Sequence, residues 1–175
     1  MRAPRVIVPI VILAALSLAA CGENEPFLRR VPGACILITK AKVHKETGDL
    51  SLKAVTDEEW NTLGGNSCVF TDPGQPAVRW SFEIDPDPGP AQQRAAQSYK
   101  LTPATEDQLG GGNPEGVYTL SHDAKTVGLF AGISGGAAVI ITGPADDVSP
   151  AAVYRLAQMM SDANAAQGAA GVAGQ

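Results

Sequence analysis

Residues Val78 to Ile84 constrain the fold most tightly. Val78, Trp80, Phe82 and Ile84 alternate with Arg79, Ser81 and Glu83. A period of two over seven residues describes a strand with one apolar and one wet face. Such a strand belongs in an antiparallel sheet, because strands of a parallel sheet are covered on both faces and read as continuous apolar runs. The Asp85-Pro-Asp-Pro-Gly-Pro stretch ends it, since proline cannot continue a central strand.

The rest of the chain builds around that strand. Ala34 to Val43 reads as a strand, apolar at first and then alternating with lysines. Leu50 to Val55 alternates again, so the two form a hairpin, with Gly48 in its turn free to take positive φ. Thr56-Asp57-Glu58-Glu59 has capping-box spacing and opens a short helix that Gly64-Gly65 stops. Ser67 to Thr71 is a strand, and Pro90 to Lys100 is helical, with Ala91, Ala95 and Tyr99 on one face. Thr102 to Gly116 is a loop with three consecutive glycines and the best candidate for a mobile segment. Val117 to Ser121, Thr126 to Ile133 and Ala137 to Thr142 form a meander. Its last two strands are almost wholly apolar, which suits the centre of a sheet. Asp147 or Ser149 caps a final helix with Pro150 in its first turn and a stripe of Val153, Leu156, Ala157 and Met160. The expectation is α+β: an antiparallel sheet with two or three helices packed on one face.

The N-terminus carries a different signal. Arg2 and Arg5 precede an apolar run from Val6 to Leu18, long enough for a signal peptide and short for a membrane span. Leu18-Ala19-Ala20-Cys21 then resembles the lipobox of bacterial lipoproteins. The resemblance implies cleavage before Cys21 and a diacylglyceryl group on its thiol. Residues 1–20 are then a removed signal peptide, 21–33 a tether, 34–164 one domain and 165–175 a disordered Ala/Gly/Gln tail. Two or three acyl chains, palmitate among them, anchor stably, since each buried methylene contributes about 0.8 kcal/mol and one chain is marginal. The protein is expected on the cell membrane or outer membrane, facing the periplasm or exterior. Gly22 is not the Asp that resembles an inner-membrane retention signal.

With Cys21 lipidated, Cys35 and Cys68 remain as an even pair in an oxidising compartment. A disulfide is expected; the alternatives are a metal site or a reactive thiol, and neither cysteine has a nearby second ligand at zinc spacing. Loss of the leader takes the formal charge from −5 to −7. An acidic domain suits neither DNA nor RNA, whose phosphates need Lys and Arg.

Few constellations carry chemistry. Gly132-Ile133-Ser134-Gly135-Gly136 matches the nucleophile elbow G-x-S-x-G, but an elbow joins strand to helix and needs a later histidine. No histidine follows Ser134, so the glycines fit a hairpin turn better. His122 beside Asp123 has the pattern of an oriented base. Glu83, Asp85 and Asp87 offer oxygens for a hard cation, yet three prolines stiffen that turn. Trp60, Trp80 and Phe82 are core residues or, alternatively, the wall of an apolar pocket. No catalytic residue, metal ligand or cofactor is assigned.

Pro32-Gly33-Ala34-Cys35, the helix around Trp60, Asn66-Ser67-Cys68-Val69-Phe70 and the final strand pair with its Ala-rich helix resemble a family of uncharacterised small actinobacterial lipoproteins. The family implies no activity, and this chain adds the stretch Ala41 to Val55. The function expected is a lipid-anchored envelope protein without catalysis, binding an envelope partner or a small ligand. The alternatives are an extracytoplasmic hydrolase using Ser134 and His122, and a purely structural lipoprotein.

Overall fold

The computed structural model describes residues 32–48, 53–57, 66–72, 75–123, 125–145 and 148–172. Its elements run α1 (Ala34–Leu37), α2 (Lys40–Thr47), β1 (Lys53–Asp57), β2 (Asn66–Asp72), β3 (Gln75–Asp85), α3 (Pro88–Ser98), β4 (Lys100–Pro103), β5 (Val117–Ser121), β6 (Thr126–Ile133), β7 (Ala137–Pro144) and α4 (Pro150–Val172). The seven strands form one sheet in the order β1-β2-β3-β7-β6-β5-β4, and every pairing is antiparallel. The architecture is α+β.

The alternation in β3 does what its period requires. Trp80, Phe82 and Ile84 are buried, while Arg79 is exposed and Ser81 and Glu83 are half-buried. The side chain of Val78 lies outside the described residues. Phe82 stands between Phe70, edge-on at 5.6 Å, and Trp80, stacked at 6.3 Å. These offset and edge arrangements suit aromatic quadrupoles. The cluster extends through Leu129, Val139 and Ile141 to Val153, Leu156 and Met160 of α4 and to Leu37 and Val43 of α1 and α2.

Three expectations need correction. The stretch Ala34 to Val43 is helical, so there is no hairpin with Leu50 to Val55. Ala34, Leu37 and Ile38 are buried at spacings of three and four, a helical pattern beneath the apparent strand composition. The Gly33 carbonyl starts α1 by accepting from the Ile36 and Leu37 amides. Gly48 does take positive φ, at 77°, but as the left-handed cap that ends α2. The β1 strand instead pairs with β2, placing Thr56 opposite Cys68. Thr56 and Asp57 are therefore strand, not helix start; Glu58, Glu59, Trp60 and Gly64-Gly65 lie outside the described residues.

The second correction concerns helix placement. Three helices, α1, α2 and α4, share one face as expected; the helix starting near Pro90, α3, lies on the other. There Ala91 and Ala95 pack on Leu120, Phe130, Ala138 and Ile140. The cause is in the meander: β6 and β7 bury residues on both faces, so both need cover. Alanines let α3 approach closely, and Asp87 caps it by accepting from the Gly89 amide at 3.1 Å. The third correction is at the C-terminus. Residues 165–172 continue α4 and are not a disordered tail, because alanine-rich sequence has the best intrinsic helix propensity. Residues 173–175 lie outside the described residues.

Candidate functional site

The segment between β4 and β5 is pinned down. Thr105 and Gln108 exchange hydrogen bonds, the Thr105 amide donating to Gln108 Oε1 at 3.0 Å and the Gln108 amide to Thr105 Oγ1 at 3.3 Å. Leu109 is buried in the main core. The Tyr154 ring of α4 lies against Gly112, where any Cβ would overlap it. Its hydroxyl donates to the Asn113 carbonyl at 3.2 Å. Asn113 Oδ1 accepts from the Glu115 amide at 3.0 Å. Glycine is required at 112 by close approach, and at 110 and 111 by φ of 65° and 88°.

This strapping leaves a cavity of about 180 Å³ between residues 113–117, the end of β6 and α4. Val117, Ala131, Ile133 and Ala157 provide apolar surface. Asn113, Glu115, Gln158 and Ser161 are polar lining groups, and Glu115 is the one carboxylate among them. The volume is below the range of about 300 Å³ and upward that holds drug-sized ligands. It suits one side chain of a partner or a small molecule. Trp80 and Phe82 do not line it; they are core residues. Trp60 and Cys21 lie outside the described residues.

Ser134 and His122 are not brought together. Ser134 sits in the turn after β6 and His122 in the turn before it. The eight residues of β6 separate them by about 25 Å at ~3.3 Å per residue. Ser134 instead ties its turn to α4. Its amide donates to Ser161 Oγ at 3.0 Å and its hydroxyl to the Ser161 carbonyl at 2.6 Å, while Asn164 Nδ2 donates to its carbonyl at 2.7 Å. Gly135 and Gly136 adopt φ of 79° and 72°, which the turn into β7 requires. A fluorophosphonate probe that labels activated serines is therefore expected to leave Ser134 unmodified; stoichiometric labelling at Ser134 would restore the hydrolase alternative.

The other titratable candidates are engaged locally. The His122 ring meets Tyr99 edge-on at 6.2 Å. A side-chain hydrogen bond from Thr126 and the Lys125 amide hold the Asp123 carboxyl below its usual range. Asp85 pairs with Arg94 and accepts from the Asp87 amide at 2.7 Å, so this turn starts α3. Among the described residues there is no group of three or more metal-ligating side chains. No helix among them is long and apolar enough to cross a membrane.

Cys35 and Cys68 form the disulfide, with Cα atoms 5.0 Å apart, joining α1 to β2. No family model, curated protein or solved structure matches the chain.

Proposed function

We propose that this chain is a lipid-anchored envelope protein that binds and does not catalyse. The observation that carries the proposal is Leu18-Ala19-Ala20-Cys21 directly after a basic and apolar leader. The Cys35–Cys68 disulfide supports it, because disulfides persist in extracytoplasmic compartments and are rare in reducing ones. The same residues, with Pro32-Gly33 and Asn66 to Phe70, support grouping the chain with the small actinobacterial lipoproteins that it resembles.

The contact surface we assign is the cavity between α4 and residues 113–117. It combines apolar surface with a few polar groups, the composition of a recognition site. Ligand or partner side chains enter there, while the lipid on Cys21 holds the domain at the membrane.

Fractionation of cells tests the anchor. The wild-type chain is expected with membranes, and Cys21→Ser is expected to move it to the soluble extracytoplasmic fraction. A wild-type chain found soluble, or a Cys21→Ser chain still held by membranes after a high-salt wash, contradicts the proposal.

A further inference from the structure

Charge is segregated along this chain. Residues 29–45 hold five basic side chains and no acid, while residues 46–175 hold six basic against sixteen acidic. Two of the five, Arg29 and Arg30, belong to the tether and lie outside the described residues; Lys40, Lys42 and Lys45 belong to α2. On α2, Val43 is buried, and Ala41 and Lys45 lie on the opposite side at ~100° per residue. Lys40, Ala41 and Lys45 are exposed. Lys42 Nζ donates to the Leu37 carbonyl at 3.3 Å, which sets its ammonium at the end of α1. The acid within α2, Glu46, is turned away: it pairs with Arg155 of α4 at 2.6 Å and keeps only 8% of its side-chain surface exposed.

An independent feature falls on the preceding helix. Ile36 on α1 is 64% exposed and is the one exposed large hydrophobic side chain among the described residues. Eleven residues, 22–32, separate Gly33 from Cys21, and fourteen, 22–35, separate Ile36 from it. Eleven residues span at most about 40 Å when fully extended.

We infer that the α1–α2 end is a membrane-contacting surface, resting on the anionic phospholipid bilayer that holds the Cys21 lipid. The inference depends on the lipid-anchor proposal for bringing this end to the membrane. Basic side chains gain from an anionic leaflet only within about a Debye length, 8–10 Å at physiological salt. The short tether keeps that distance accessible, and Ile36 supplies the apolar insertion. Glu23 and Glu25 in the tether oppose the attraction, but five cations outnumber them. The remaining domain, with its acidic excess, is repelled by the same leaflet, so one orientation is selected.

The test uses the full lipidated chain carrying Ile36→Trp, reconstituted into vesicles with brominated acyl chains. Bromine quenches tryptophan that reaches the acyl region, and the unsubstituted chain supplies the background from Trp60 and Trp80. Quenching of the added tryptophan is expected in phosphatidylglycerol vesicles. It should be roughly threefold weaker in phosphatidylcholine vesicles or with Lys40→Glu and Lys45→Glu combined. Equal quenching in the two lipids, or none while flotation shows the chain on the vesicles, overturns the inference. Failure to float removes the anchor instead. The Cys21→Ser chain with Ile36→Trp, mixed with excess phosphatidylglycerol vesicles, then decides: salt-sensitive quenching supports the surface, and its absence overturns it.

Discussion

Gly143→Val is expected to cost about 3 kcal/mol, as overpacking of a filled core does. In β7 the Gly143 backbone lies against the Trp80 ring, and a Cβ there would overlap the indole. Trp80 is only 1% exposed and is already held by its stack on Phe82, so the ring has no free direction to move. Trp80→Ala should cost about 3–5 kcal/mol by deleting the largest buried side chain of the core. Thermal melts should show each variant at least ~10 °C below the parent. The two sites touch, so their effects should not add. Placed in the Trp80→Ala background, Gly143→Val fills space that the indole vacated and should cost much less than alone. Additive losses would show that the ring and the glycine are not in contact.

The second large effect concerns the disulfide. Replacing both cysteines by serine, or reducing the intact chain, is expected to cost about 3–4 kcal/mol on the chain-entropy estimate for a loop of this length. The bond closes a sequence separation of 33 residues and ties a four-residue helix to β2. So short a helix has little stability of its own. Hydrogen exchange should therefore accelerate first at the Ile36 to Ile38 amides, whose acceptors are the Gly33 and Ala34 carbonyls. Urea midpoints with and without reductant give the magnitude. Free thiols at Cys35 and Cys68 in freshly prepared folded protein would contradict the assignment.

Much of the sheet was legible because its strands are governed by burial on one or two faces. The period in β3 gave one wet face, and the apolar runs of β6 and β7 gave the sheet centre, where both strands lie. The same apolar runs also demanded cover on both faces, and that requirement, not helix composition, decides where α3 packs. The α1–α2 region misled because Ile36, Leu37 and Ile38 form a run consistent with either helix or strand. An apolar start followed by alternation with lysines favoured strand, while the buried set Ala34, Leu37 and Ile38 is helical.

The cavity was only half visible. The Thr102 to Gly116 segment stands out in the sequence as a loop, and its Asn113 and Glu115 line the cavity. Its other wall comes from Tyr154, Gln158 and Ser161, some forty residues later, and no local spacing announces that meeting. The mobility expected of the triple glycine does not follow from its composition either. Tyr154 needs Gly112 for close approach and fastens the loop through the Asn113 carbonyl.

The central claim is that the chain is a lipid-anchored protein beginning at Cys21. Mass spectrometry of the N-terminal peptide from membranes of the producing cell tests it directly. The account predicts a peptide starting at Cys21, with residues 1–20 absent and a diacylglyceryl mass on the thiol. An intact leader followed by an unmodified Cys21 would contradict it.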